Sequence, residues 1–194
     1  MQFIPLIKIK NRKSSLSDHF LDSIDEEQIV YLYDFDGIEK DKPNFCKFQK
    51  LSKNHELWVD FGPRTLGDIV DSFMVGATAI TIRKNLFPQI DISKIKEISE
   101  NKIFLDINLE DQKTEDLFLK EVDGITYFKS KEVINQINRY HELLSLYATK
   151  NTLYVYESNK KNLYFWKNYG VNNFLIDIDK YEEIKKVCSL MQKQ

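Results

Sequence analysis

The chain has 194 residues, with 28 basic and 30 acidic side chains and a formal net charge of −2. A balance this even leaves no electrostatic footprint for nucleic acid and no polybasic membrane signal. A hydrophobic share of 42% with 30% charged residues excludes a disordered chain. The length suits one core and is short for two, so residues 1–194 read as a single domain. Cys46 and Cys188 form no CxxC or Cys/His cluster, so no zinc site is expected, nor any other metal or cofactor. Met1 to Lys13 lacks the pattern of a secretory signal, and no apolar run approaches a membrane span. With two thiols and no leader, a cytoplasmic location is expected.

Along the chain, short β-rich runs alternate with stretches of helical periodicity. Strands are predicted at Phe3 to Ile9, Ile29 to Tyr33, Glu56 to Val59, Thr78 to Ile82, Lys102 to Ile107, Gly124 to Phe128, Thr152 to Tyr156 and Asn173 to Ile178. Between and after them, helices are predicted at Ser17 to Glu27, Asn44 to Ser52, Leu66 to Val75 and Ile92 to Ser99, the last capped by Asp91. Further helices follow at Glu115 to Glu121, Lys131 to Tyr147, Lys160 to Tyr169 and Tyr181 to Gln192. Gly76 and Gly170 stand where helices stop. The strand runs are nearly continuously apolar, as parallel strands covered on both faces must be. Eight βα units imply closure into a (β/α)8 barrel, a TIM barrel with short loops. The alternative, an open doubly wound sheet, lacks a GxGxxG after its first strand.

Five short motifs fall at the strand ends. They are Ile4-Pro5-Leu6-Ile7-Lys8-Ile9, Tyr33-Asp34-Phe35-Asp36-Gly37, Trp58-Val59-Asp60-Phe61-Gly62-Pro63-Arg64, Val75-Gly76-Ala77 and Phe104-Leu105-Asp106-Ile107. In this order and spacing they resemble the IPAIDL, VDLDG, VGGGIR, AGA and LDV segments of the histidine-biosynthesis barrels. That family comprises the phosphoribosylformimino-AICAR isomerase and the cyclase subunit of imidazole glycerol phosphate synthase. The third segment is closer still to the LWVDAGVR of a divergent paralogue group in methanogens and methylotrophs. The resemblance covers roughly residues 3–109.

The resemblance implies an aldose–ketose isomerase in which two aspartates, at the ends of strands 1 and 5, act as general acid and base. Asp106 matches one of them, but Lys8 stands at the other position. Lys8 and Asp106 are therefore the candidate catalytic pair; the alternative is an ion pair between them that plugs a retired site. The resemblance also implies two phosphate sites. The one after strands 7 and 8 is lost here, where Glu157 and Asp177 replace glycines and would repel phosphate. The one after strands 3 and 4 retains Gly62, Arg64 and Thr65, with Arg83 and Lys84 nearby. The alternative is that Arg64 and Arg83 form ion pairs with Asp60 and Asp36. Asp34, Asp36 and Asp60 are candidate rim carboxylates, able to hold a cation or simply hydrated. Two functions remain open: a divergent isomerase-like protein that binds a phosphorylated small molecule with the two-aspartate reaction lost or altered, or a non-catalytic binding or assembly subunit. The second would use the rim or the aromatics of 160–169 against a protein partner or a second copy.

Overall fold

The structure is a computed structural model that describes residues 1–14, 24, 28–107, 120–129, 145–149 and 152–191. Strand β1 (Gln2–Lys10) turns through Asn11 and Arg12 into a two-residue antiparallel strand, β2 (Lys13–Ser14). Seven more strands follow: β3 (Ile29–Asp34), β4 (Glu56–Asp60), β5 (Ala77–Arg83), β6 (Lys102–Asp106), β7 (Gly124–Tyr127), β8 (Leu153–Tyr156) and β9 (Asn173–Asp177). Apart from β2, each strand pairs in parallel with the next, and β9 pairs with β1, so eight strands close into one barrel. The described helices are α1 (Phe35–Lys40), α2 (Phe45–Leu51), α3 (Leu66–Met74), α4 (Ile92–Ile98), α5 (Lys160–Asn168) and α6 (Ile178–Met191). The expected (β/α)8 barrel is the fold.

Alternation within each strand sorts side chains into two cores, because successive residues point to opposite faces. Outward-facing Ile7, Ile9, Val30, Leu32, Val59, Ile80, Ile82 and Ile103 are completely or almost completely buried under Phe48, Ile69, Ile95, Leu163 and Trp166 of the helical layer. Each such side chain contributes about 1.5–3 kcal/mol on burial. Inward-facing Ile4, Leu6, Tyr31, Trp58, Ala79, Phe104, Tyr154 and Leu175 fill the lumen. Trp58 stacks on Phe104 with centroids 3.8 Å apart, and Tyr154 meets Trp58 edge-on at 4.9 Å. The barrel is a packed interior with no central channel through these residues.

Three elements differ from the sequence expectations. Helix α1 occupies a segment read as a strand end and turn. It forms because the Asp34 side chain accepts from the Asp36 and Gly37 amides, capping a new helix directly at the end of β3. Strand β2 was not anticipated; its hairpin turn holds both Asn11 (φ 51°) and Arg12 (φ 60°) in the left-handed region that a two-residue turn requires. Helix α6 starts at Ile178, three residues before the expected start at Tyr181. Most of each helix expected over 17–27, 115–121 and 131–147 lies outside the described residues; of the last, residues 145–147 are helical.

The α1 segment lies tight against β4. A Cβ on Gly37 would collide with the Phe61 carbonyl oxygen, whereas one on Gly67 would meet nothing closer than the Thr65 hydroxyl at 3.5 Å. Chemical denaturation should therefore show Gly37→Ala to be less stable by about 1–3 kcal/mol, the range for overpacked sites. Gly67→Ala, inside α3, should be neutral or stabilised by up to about 1 kcal/mol.

Candidate functional site at the barrel mouth

The last inward position of each strand, or the residue just beyond it, reaches the C-terminal mouth, the face on which barrels of this type place their sites. In order around the barrel these are Lys8, Tyr33, Asp60, Arg83, Asp106, Phe128, Tyr156 and Asp177. Five of the eight are charged, and they divide into two clusters.

The first cluster centres on Arg83. Its Nε and Nη2 donate to the two carboxylate oxygens of Asp60 at 2.9 and 2.6 Å, and its Nη1 donates to Asp106 Oδ2 at 2.7 Å. Asp60 is wholly buried, and the Arg83 side chain is only 12% exposed. Below it a chain of buried hydrogen bonds runs into the lumen. Tyr31 Oη donates to Asp60 Oδ2 at 2.9 Å and lies 3.1 Å from Thr81 Oγ1, which accepts from Trp58 Nε1 at 2.8 Å. Burial works against the Arg83 charge, but Asp60 and Asp106 outweigh it and raise its pKa. One guanidinium cannot fully compensate two buried carboxylates. Burial pushes Asp106 up to about 7, against the pull of Arg83 and helped by Asp60. Its Oδ1 and the neighbouring Thr126 Oγ1 are both buried, and the Thr126 hydroxyl pulls the Asp106 value down against burial.

The second cluster joins β1, β8 and β9. Lys8 Nζ lies 2.7 Å from Asp177 Oδ1 and donates to Tyr156 Oη at 2.8 Å, while Tyr156 Oη donates to Asp177 Oδ2 at 2.7 Å. Burial would lower the Lys8 pKa, yet the Asp177 and Tyr156 bonds outweigh it and the net direction is up. For Asp177, burial raises and the Lys8 bond lowers, and the carboxylate ends below its ordinary value. Lys8 is thus held as an ammonium, which is a poor nucleophile and a poor base.

Aromatic rings fill the space between the clusters. Phe128 lies 4.9 Å from Tyr33 and stacks on Tyr156 at 5.5 Å, and the Arg83 guanidinium sits over Tyr33 and Phe128 at 5.2 and 5.6 Å. Among the described residues, the inward strand-end positions carry Lys8 and Arg83 against Asp60, Asp106 and Asp177, and Lys129, just beyond Phe128, also acts on Asp106.

The remaining expected site residues are engaged elsewhere. The Arg64 guanidinium donates to the carbonyls of Gly37 (3.2 Å), Ile38 (3.0 Å) and Gly62 (3.0 Å) and to Asp41 Oδ1 (2.8 Å). It thereby ties the C-terminal end of α1 to the turn after β4. The N-terminus of α3 is filled by the chain's own carboxylate: Asp68 accepts from the Arg64 and Thr65 amides, and the Thr65 hydroxyl accepts from Asp68 N. Gly62, at φ 67°, makes the turn between β4 and α3, where a Cβ would press on Leu86. Lys84 follows Arg83 out of β5 and is half-buried.

Asp34 faces outward and accepts from Asn44 N and Nδ2, both at 2.7 Å, besides capping α1. Asp36 lies within α1 and accepts from the Asn11 and Arg12 amides. Glu157 is also structural, accepting from Asn159 N at 2.9 Å and Asn162 Nδ2 at 3.0 Å at the start of α5. No group of three or more His, Cys, Asp or Glu side chains able to hold a metal ion occurs among the described residues.

Several sequence expectations change accordingly. Lys8 pairs with Asp177 rather than Asp106, because closure of the barrel makes β9 its neighbour. Arg83 does pair with Asp60, whereas Arg64 pairs with Asp41 and backbone carbonyls rather than with Asp36. Of the three rim carboxylates, only Asp60 faces the lumen. In the 160–169 segment Trp166 is fully buried, Phe165 packs partly buried against the same core, and Tyr164 is exposed. Tyr33, Thr126, Phe128 and Tyr156 are mouth residues that the sequence reading does not name; counting alternate positions outward from Tyr31, Gly124 and Tyr154 places them there. No protein-family model matches the sequence, and no curated protein matches it.

The raised Asp106 pKa carries a pH signature. Its folded value, about 7, exceeds its ordinary 3.8. The folded chain therefore keeps a proton that the unfolded chain releases. The contribution of this group to stability falls as pH rises from about 4 to about 7 and is constant above that. Urea denaturation across this range should show wild type losing on the order of a few kcal/mol relative to Asp106→Asn, which lacks the titration.

Proposed function

We propose that this protein is a phosphoribosyl-isomerase-like barrel that has lost the two-aspartate reaction and acts as a non-catalytic binding protein for a phosphorylated small molecule. The resemblance of its strand-end motifs supports the lineage. One observation carries the loss of the reaction: Lys8 and Asp106, the two groups in the catalytic positions, are each held by a different partner. Lys8 is spent on Asp177 and Asp106 on Arg83. Two-acid isomerisation needs one group to remove a proton and another, across the substrate, to deliver one. An ammonium bonded to a carboxylate and a phenol does neither at neutral pH.

The mouth also opposes a doubly phosphorylated substrate. Lys8 and Arg83 are already paired with carboxylates there, and Arg64, Thr65 and the α3 N-terminus already have intramolecular partners. A bound phosphate would have to displace these contacts. Binding is therefore expected on the rim outside the lumen.

A second reading keeps acid/base chemistry at Asp106. It is favoured by a buried carboxyl whose pKa is pushed up to about 7, close to that of a working general acid. In that reading Asp106 would exchange a proton with a ligand seated over Phe128, while Arg83 stabilised the developing negative charge.

Enzyme assay separates the two. Purified protein given the phosphoribosylated aminoaldose of the isomerase reaction should show no turnover, and the gene should fail to rescue an isomerase-deficient histidine auxotroph. Turnover that disappears in Asp106→Asn, with the fold intact by circular dichroism, would establish the second reading instead.

A further inference from the structure

The β1–β2 hairpin and the C-terminal end of α1 enclose a cavity of about 310 Å³, lined by Asn11, Arg12, Asp36, Lys40 and Lys42. It lies on the C-terminal face of the barrel but outside the mouth. Its volume is at the small end for ligand sites.

Asp36 forms the fixed part of this cavity. It is 4% exposed. Its carboxylate accepts from Asn11 N (3.0 Å), Arg12 N (2.8 Å), Lys40 Nζ (2.8 Å) and Asn44 Nδ2 (3.3 Å). The two left-handed residues of the turn aim their amides at it, in the manner of a backbone nest around an anion. These bonds pin the hairpin to α1, and the Lys40 bond above all holds Asp36 well below the usual carboxylate range. The charge of Asp36 is thus matched from within.

The Arg12 guanidinium and the Lys42 ammonium are not matched. Both are exposed, and neither makes a side-chain hydrogen bond or ion pair among the described residues. Nearby, Lys10 lies over the Phe35 ring, and Lys13 pairs with Lys10 across the hairpin. Of the acidic neighbours, Asp41 is bonded to Arg64, which leaves Glu39 as the counter-charge on α1. Beyond the Asp36–Lys40 pair, Lys10, Arg12, Lys13 and Lys42 therefore gather, among the described residues, at one end of a chain whose net charge is −2. Like charges so close repel one another unless an anion joins them.

We propose that this cavity binds the phosphoryl group of a small phosphorylated metabolite, with Arg12 as the bidentate donor and Lys42 as the second cation. A guanidinium fork matches two phosphoryl oxygens, and an ammonium supplies a point charge to the third. The lysine stems give the apolar wall on which the rest of the ligand lies. This inference rests on the binding reading above and names its site, at the ends of β1 and β3 and away from Lys8, Arg83 and Asp106.

The test is thermal denaturation of the full chain with ribose 5-phosphate, inorganic phosphate or sodium chloride at matched ionic strength. It is run on wild type, on Arg12→Gln/Lys42→Gln, and on Lys96→Gln, an exposed lysine on α4, as control. Ribose 5-phosphate should raise the wild-type and Lys96→Gln midpoints well beyond chloride, with apparent affinity at least tenfold weaker in the double variant. A larger shift with inorganic phosphate than with the sugar phosphate would assign the site to the free ion, contradicting a metabolite ligand. A full-sized shift in the double variant would overturn the site while leaving the binding reading standing. No shift beyond chloride in wild type would overturn both.

Discussion

A single buried guanidinium between two carboxylates organises the mouth of this barrel. Arg83 joins β5 to β4 through Asp60 and to β6 through Asp106, so three adjacent strands end in one ionic unit. Asp60 passes the contact down to Tyr31, Thr81 and Trp58, and thus into the packed lumen. Buried charges are tolerable only when paired and hydrogen-bonded. Here the bidentate Asp60 contact meets that demand, and Asp106, the less well compensated acid, answers it by favouring its protonated form.

The Lys8 cluster serves the opposite side of the barrel in the same way. Closure places β1 beside β9, and Lys8, Tyr156 and Asp177 bond the seam across β8, β9 and β1. Phe128 and Tyr33 lie between the two clusters, over which Arg83 adds cation–π contacts. A barrel mouth built this way is rigid and largely filled. On the rim of the same face, the β1–β2 hairpin and the end of α1 expose Arg12 and Lys42, which make no side-chain ion pair among the described residues.

The fold was legible because its signals are local and repeated. Eight apolar runs, with a cap such as Asp91 and stops such as Gly76 and Gly170, need no long-range knowledge to read. Helix α1 was not legible, since Asp34-Phe35-Asp36-Gly37 has the composition of a turn and its second support, Asn44, lies just before the next helix. The site was legible in part. Strand ends nominate Lys8, Asp60, Arg83 and Asp106, but spacing does not say which partner each will choose. Lys8 finds Asp177 only because the first and last strands meet. Arg64 is taken by backbone carbonyls, which have no signature in a sequence, and Arg12 and Lys42 look like any surface cations until the hairpin brings them to one cavity.

The central claim is that the charged groups of the mouth are spent on holding the barrel together rather than kept in readiness for a substrate. These roles predict opposite effects on stability when Arg83 is replaced. Residues poised for function tend to cost stability, and their removal is neutral or stabilising. Removing one partner of a buried ionic unit strands the others and is strongly destabilising. The decisive measurement is therefore the unfolding free energy of Arg83→Met against wild type at pH 8, by urea denaturation. A loss of about 3–5 kcal/mol is the predicted result; an unchanged or higher stability would contradict the account.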